Sequence, residues 1–330
     1  DRWLRTVSLP RLAAAWWQAQ SPPMRAHLEA FAAGVNDYAR QHGDQLAPEV
    51  KAVLPITPED LLAHTLRAIH LTFVTSRQAV EYQAKARAAP GSNAWAIAPK
   101  RAEGGKAMLL ANPHLPWRDL FLWYEAHLNA PGVSIYGATL AGIPWLALGF
   151  NERLGWTHTV NTFDGADLYE LTLAEGGYRF DGKVRPFEAE EQSIRVRQPD
   201  GSMTEEKFTV RRSIHGPVVS EKDSKPLALR VVGLDQPHMF EQYWDMARAR
   251  NLKEFEAAFS RLQIPMFTVI YADRDGHIMH VFGGRVPVRS RGDWRYWLGV
   301  APGDTSETLW TRTHAYAELP RVVDPPSGWL

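Results

Sequence analysis

The sequence has no cysteine among its 330 residues. That single absence excludes a disulfide framework, a Cys-ligated zinc site and a catalytic thiol. Excess charge is also missing, since 37 Lys+Arg stand against 37 Asp+Glu. With no whole-chain field to hold a polyanion, neither nucleic acid nor an anionic membrane surface is expected as the main partner. No apolar stretch reaches the ~20 residues that a membrane-spanning helix needs. Asp1-Arg2-Trp3 does not open a signal peptide, so the expectation is a cytoplasmic chain or one whose leader has been removed. No internal repeat or low-complexity tract is visible. What is present is 45% hydrophobic residues, enough for one large globular domain or two ordinary ones.

The chain up to about residue 90 reads as helical. Ser21-Pro22-Pro23 offers an N-cap with proline in the first turn, and Leu28, Phe31, Ala32, Val35 and Tyr38 recur at helical spacing until His42-Gly43. Thr57-Pro58-Glu59-Asp60 opens a second helix in the manner of a capping box, with Leu62, Leu66, Ile69 and Phe73 as its apolar stripe. Both stripes are expected to be core. After Ala88-Ala89-Pro90-Gly91 the pattern changes to short strand-like runs. Trp95–Ala98 and Ala107–Leu110 flank Gly104-Gly105 as a hairpin. Further strands are expected at Trp145–Phe150, Thr157–Val160, Tyr169–Leu173, Ile194–Val196, Phe208–Val210, Leu227–Val232, Phe267–Ala272 and Ile278–Phe282. One helix opened by Asn251, with Phe255, Phe259 and Leu262, interrupts them. Helices first and a long antiparallel region second predict an α+β architecture.

Several chemical constellations fall away on inspection. His277 and His280 point to opposite faces of a strand and make a poor metal pair. Asp273-Arg274-Asp275-Gly276 lacks the EF-hand ligand pattern and reads as a turn. Scattered carboxylates cannot be placed as a glycosidase pair. The 13 tryptophans, Trp16-Trp17 among them, suit a core better than a sugar-binding face, although a non-catalytic, Trp-rich β binding module remains the rival reading from another class.

The Gly91-Ser92-Asn93 step is different. It falls at the junction of the helical and β regions, after small residues and a proline, where a chain is easily cut. Glycine before the serine would tolerate a strained peptide, so that Ser92 Oγ attacks the Gly91 carbonyl. Cleavage would leave Ser92 as a new N-terminus. Its α-amine, with an ordinary pKa of ~7.7 against ~10.4 for lysine, can then act as base toward its own hydroxyl. By itself, a Gly-Ser before a strand is more often a linker.

The surrounding blocks decide between these readings. Gly91-Ser92-Asn93-Ala94-Trp95-Ala96-Ile97-Ala98 is followed by Leu110-Ala111-Asn112-Pro113-His114-Leu115-Pro116-Trp117, Ile135-Tyr136-Gly137-Ala138-Thr139 and Trp156-Thr157-His158-Thr159-Val160-Asn161. His215-Gly216-Pro217-Val218, Tyr271–Gly276 and Pro320–Gly328 come later. In order and spacing these resemble the penicillin acylase family of N-terminal-nucleophile amide hydrolases. The resemblance implies an αββα sandwich, two stacked antiparallel sheets between helical layers. It implies that residues 1–85 end a small subunit, 86–91 form the spacer and cleavage region, and 92–330 begin the large catalytic subunit. Both subunits would come from one periplasmic precursor. Ser92 would be the nucleophile, self-cleaved from Gly91, and Val160 would give a backbone N–H to the oxyanion. His114 resembles the histidine near the nucleophile in acyl-homoserine-lactone and cephalosporin acylases; His158 and His215 are taken as structural.

The same resemblance addresses the substrate, a small N-acyl amide. Trp123, Leu140 and Ala147 stand where cephalosporin acylases hold a distal carboxylate with tyrosine, glutamine and arginine. Without arginine's bidentate fork a buried carboxylate is disfavoured. Together with Trp145, Leu146 and Phe267 these residues predict an apolar acyl pocket, where burial contributes about 0.8 kcal/mol per CH₂. A β-lactam acylase of the same family is the alternative. No cofactor is needed for the chemistry. Asp164, Ala166 and Asp167 sit where calcium-binding members place two aspartates and a carbonyl, so the readings there are a structural Ca²⁺ site, with Glu81 as a faint further ligand, or a solvated turn carrying two acids. The family's second oxyanion donor, an asparagine side chain, is expected beyond Leu330, and its loss would cost ~10²–10³ in turnover. The chain thus reads as a fragment truncated at both ends.

Overall fold

The computed structural model describes residues 1–77, 91–222 and 225–330. Three main helices carry the first segment: α1 (Leu9–Ala19), α2 (Pro22–Gln41) and α3 (Pro58–Ala68). α2 and α3 begin with proline, whose missing N–H costs nothing in a first turn. The capping box forms as the sequence predicts. Thr57 Oγ1 accepts from the Asp60 N–H at 3.2 Å and the Asp60 carboxylate accepts from the Thr57 N–H at 2.8 Å. α3 continues as a π-helical turn, Ile69–Val74. Its expected stripe is buried at Leu62, Leu66 and Ile69. On α2 the outcome is mixed. Met24, Leu28 and Ala32 form a single buried row at i, i+4, i+8, whereas Phe31, Val35 and Tyr38 lie on the adjoining rows and are exposed.

The second segment is mostly strand. β1 (Asn93–Ile97) and β2 (Met108–Asn112) make the predicted antiparallel hairpin. β3 (Trp123–Ala130), β4 (Val133–Leu140), β5 (Leu148–Asn151), β6 (Leu154–Thr159), β7 (Thr268–Asp273), β8 (Ile278–Val281) and β9 (Arg321–Val323) build a seven-stranded antiparallel sheet ordered β9-β8-β7-β6-β5-β4-β3. Side chains alternate across β7. Ile270 and Ala272 face the hairpin, where they pack with Ala96. Val269 and Tyr271 face the main core on the opposite side, where α4 (Met239–Arg248) and α5 (Leu252–Phe259) lie. There the Phe255 ring meets Trp156 at 6.4 Å and Tyr271 at 4.8 Å between centroids. Helices, a large sheet and a stacked hairpin are three layers of an α+β sandwich of the expected kind.

A second, six-stranded sheet includes Ala166–Glu170, Lys225–Val231 and the long strands Glu188–Arg197 and Met203–Ser213. It buries its own cluster around Tyr169, Phe180, Trp297 and Trp310. The main core runs without a break from Leu28, Leu62 and Leu66 to Trp156, Phe240 and Met279, so both segments share one interior.

Some local expectations need correction. The run Trp145–Phe150 pairs only from Leu148 onward, because the preceding loop is tied off by Ala141 N–H to Leu122 O at 2.8 Å and Ala147 N–H to Ala138 O at 3.0 Å. β3, β4 and α4 are elements that the sequence pattern does not predict. α5 is capped by Asn251, which accepts from the Glu254 N–H at 2.9 Å, but Leu262 lies beyond its end with φ 49°. Asp273–Gly276 is a turn, as read, closed by Gly276 N–H to Asp273 O at 3.3 Å. His277, between that turn and β8, pairs with Asp324 at 2.7 Å, apart from His280 on β8.

Candidate active site

Ser92 stands immediately before β1. The hairpin register sets Asn93 opposite Asn112, which brings the following Pro113-His114 alongside Ser92. The main-chain N–H of His114 donates to Ser92 Oγ at 3.4 Å. The His114 imidazole itself is exposed. In the continuous chain the Ser92 nitrogen is an amide and no base; basicity there requires the Gly91–Ser92 bond to be cut. A Cβ at Gly91 would meet no described atom within 4 Å, so the glycine is not explained by crowding.

Behind Ser92 lies a cavity of about 50 Å³. Of the residues expected at the site, Ser92, Val160, Trp123, Leu140, Trp145, Ala147 and Phe267 all line it. β6 ends its pairing with β7 at Thr159↔Thr268, so Val160 is the first residue past the ladder. Trp156 Nε1–H anchors the loop beneath by donating to Ala147 O at 3.0 Å. Leu146 instead faces a neighbouring cavity of about 270 Å³, which shares Trp145 and Tyr243 with the first. Phe267 is held at φ 108°, a conformation that costs a non-glycine residue about 1–3 kcal/mol. Its ring is clamped by Phe73 at 5.2 Å and His158 at 5.4 Å. A Cβ on Gly283 would lie 2.6 Å from Phe267 O and from Phe259 Cζ, so only glycine permits this close passage.

The sequence reading missed a large share of the lining. Ile69 lies in the core as expected, with Phe73 packed against it, and both also reach the cavity from the π-helical turn. α4 contributes Met239, Phe240 and Tyr243. The signal for α4 was legible as Met239, Phe240, Tyr243, Met246 and Ala247 at helical spacing, all buried. His158, taken as structural, also lines the cavity. Burial pushes its pKa down to about 4, so the imidazole is neutral. Burial likewise raises the Tyr243 hydroxyl above its ordinary value. His215 is structural as expected, stacked on Tyr169 and bonded through Nε2 to Gly303 O at 2.9 Å.

The proposed calcium ligands meet a different partner. The Arg289 guanidinium contacts Asp164 Oδ2 at 3.0 Å and Asp167 Oδ2 at 2.9 Å. Trp310 Nε1–H donates to the same Asp167 oxygen at 2.8 Å. All three charged side chains are largely buried. Among the described residues no group of three His, Asp or Glu side chains is arranged to hold a metal. A pair of carboxylates bridged by a guanidinium does not fit a calcium ion at Asp164, Ala166 and Asp167. Glu81, the further candidate, lies outside the described residues.

A serine before a sandwich hairpin, with a strand end and an apolar cavity beside it, is the arrangement of an N-terminal-nucleophile fold. Comparison with known proteins agrees. The sequence matches the penicillin amidase family over residues 1–330. It is 32% identical to the acyl-homoserine lactone acylase PvdQ of Pseudomonas fluorescens (strain Pf0-1), over 87% of this chain and 41% of that protein. It is 24% identical to the acyl-homoserine lactone acylase QuiP of Pseudomonas aeruginosa, over 100% of this chain and 47% of that protein. In three dimensions it resembles a thermostable penicillin G acylase from Alcaligenes faecalis with a TM-score of 0.63 and 25% identity, over 72% of this chain and 43% of that one. The chain belongs to the penicillin amidase family. It spans less than half the length of these relatives.

Proposed function

We propose that the protein to which this chain belongs is an amide hydrolase that removes an apolar acyl group from an acyl-homoserine lactone or a related N-acyl amide. The observation that carries the reading is that Ser92 and Val160 border the same apolar cavity, in a chain about 30% identical to acyl-homoserine lactone acylases. Maturation would begin with attack of Ser92 Oγ on the Gly91 carbonyl. The resulting ester is hydrolysed by water, which frees the Ser92 α-amine and leaves the carboxylate on Gly91, separating the small subunit (residues 1–85) with its spacer (86–91) from a large subunit beginning at Ser92. That amine then takes the hydroxyl proton as Oγ attacks the substrate carbonyl, while the Val160 N–H stabilises the oxyanion. Collapse protonates and expels the amine, and water activated by the same α-amine cleaves the acyl-serine.

The chain's last described residues support this assembly. Ala96 and Leu330 exchange hydrogen bonds of 2.9 and 3.1 Å, and Ala98 N–H donates to Gly328 O at 2.9 Å, so this segment runs antiparallel to β1. A strand continued in that register would pass Trp95, Ala94 and Asn93 on its way to Ser92, the place where a second oxyanion donor is needed. A periplasmic site of action follows from the family resemblance; no helix among the described residues is long and apolar enough to cross a membrane. The likeness to a penicillin G acylase favours a β-lactam acylase as the second reading.

The test is a denaturing gel with mass spectrometry on the full-length protein, wild type beside Ser92→Ala. Two fragments, one starting at Ser92, are expected in the wild type and one uncut chain in the variant; a binding module gives one band in both. Hydrolysis of long-chain acyl-homoserine lactones is then compared with that of phenylacetyl and glutaryl amides. Preference for the glutaryl compound would overturn the apolar-pocket argument.

A further inference from the structure

The cavity beside Ser92 is apolar in composition but not in every atom. Trp123 Nε1, Trp145 Nε1 and both ring nitrogens of His158 are shut off from solvent, and none makes a hydrogen bond of normal geometry among the described residues. His158 is only 9% exposed, and its ring sits against Tyr243 and Phe267, which line the same cavity. The Thr268 main chain lies close enough to His158 to pull weakly on its protonation, but one carbonyl engages at most one ring nitrogen and leaves the other without a partner. Buried polar atoms are nearly always satisfied in native proteins, and an exception calls for an explanation such as a ligand. Among the buried indoles the rule is otherwise kept, with Trp297 Nε1 donating to Arg291 O and Trp310 Nε1 to Asp167, although Thr139, Thr157, Asn161 and His70 also hold atoms unpaired among the described residues. Trp156 Nε1 finds Ala147 O and Trp16 Nε1 finds Leu234 O, each a main-chain acceptor.

Resting on the acylase reading above, we propose that Trp123, Trp145 and His158 select acyl groups that carry a neutral oxygen, a ketone or hydroxyl, over plain alkyl chains of the same length. The chemistry follows from the donor set. An indole N–H can only donate, so two such groups ask for an oxygen acceptor. A neutral imidazole can both donate and accept, which suits a ketone and a hydroxyl alike. Among the described residues no Lys, Arg, Asp or Glu lines the cavity, so a carboxylate there would lack a described counter-charge and is disfavoured. A plain chain would remove any water from these atoms and return nothing, whereas an oxygen placed among them restores the lost bonds. These three residues therefore determine specificity in binding and take no part in bond cleavage.

The experiment uses the processed full-length enzyme and a matched series of straight-chain acyl amides of one length: unsubstituted, and bearing a keto or hydroxy group at successive carbons. At one position the oxygenated substrate is expected to show kcat/KM about tenfold above the unsubstituted one, equivalent to about 1.4 kcal/mol, with the gain mainly in KM. Trp145→Phe and Trp123→Phe keep the aromatic bulk and delete the N–H; in either, the advantage should shrink to about twofold or less. If one variant fails to fold, the other and the wild-type series still decide. Hydrolysis of the plain chain as fast as every oxygenated one overturns the proposal while leaving the acylase reading intact. Failure to hydrolyse any amide, with no self-cleavage at Ser92, overturns both.

Discussion

The group that meets Ser92 Oγ is the backbone of His114, not its ring: the N–H donates at 3.4 Å while the imidazole is exposed. What the site takes from position 114 is therefore a main-chain donor that any residue except proline supplies. His114→Gln is accordingly expected to be processed and to keep at least about a tenth of wild-type kcat/KM, whereas Ser92→Ala loses both processing and activity. Steady-state kinetics beside a cleavage gel checks this. A loss of about a thousandfold in His114→Gln would show that the ring acts directly.

Arg289 replaces, in this structure, the charge that a cation would bring to Asp164 and Asp167. Removing one partner of a buried ion pair leaves an uncompensated charge and typically costs about 3–5 kcal/mol. Arg289→Met should therefore lower the melting temperature sharply. The wild type should melt at the same temperature in EDTA and in millimolar calcium. A calcium-dependent rise of several degrees in the wild type would restore the metal site that the sequence suggested.

What could be read in advance follows a physical division. Signals completed within a few residues were legible: the Thr57 capping box, the Asn251 cap, the hairpin around Gly104-Gly105 and the Asp273–Gly276 turn. Ser92 stood out because the blocks that carry the family resemblance adjoin it in sequence. Contacts across the fold were not legible. Nothing near Asp164 or Asp167 announces Arg289, and the stripe of α3 does not say that its extension, carrying Ile69 and Phe73, serves the cavity as well as the core. His158 could not be told from a packed histidine without knowing that Tyr243 and Phe267 close around it.

Gly283 offers a test of how Phe267 is held. Alanine there would press its methyl against Phe267 O and Phe259 Cζ at 2.6 Å, and both are fixed in the core. Overpacking of this kind costs about 1–3 kcal/mol. Phe267 would be displaced from the cavity wall, so Gly283→Ala should both melt earlier and raise KM for acyl substrates. Phe259→Leu combined with Gly283→Ala should recover part of the stability by relieving one of the two clashes. A Gly283→Ala protein with unchanged melting and KM would mean that the strand has room to move.

The acid limit of stability should be set by three buried histidines. Burial depresses His70, His158 and His215 to about 4, against an ordinary 6.5 when unfolded. In the window between those values the unfolded chain binds protons that the folded one refuses. The stabilisation is thus complete above pH 6.5, declines as the pH falls and is exhausted near pH 4. Each histidine contributes on the order of 3 kcal/mol across that window, and three together rival the whole stability of an ordinary domain. His277, raised by its bond to Asp324, works in the opposite direction, but its exposed ring is screened by solvent. Denaturant midpoints measured from pH 8 down to pH 4.5 should therefore be flat above about pH 6.5 and fall steeply below it. His215→Phe, which keeps the stacking on Tyr169 and cannot be protonated, should make that fall shallower. A midpoint that holds steady down to pH 4.5 would mean that these imidazoles reach water, contrary to their burial.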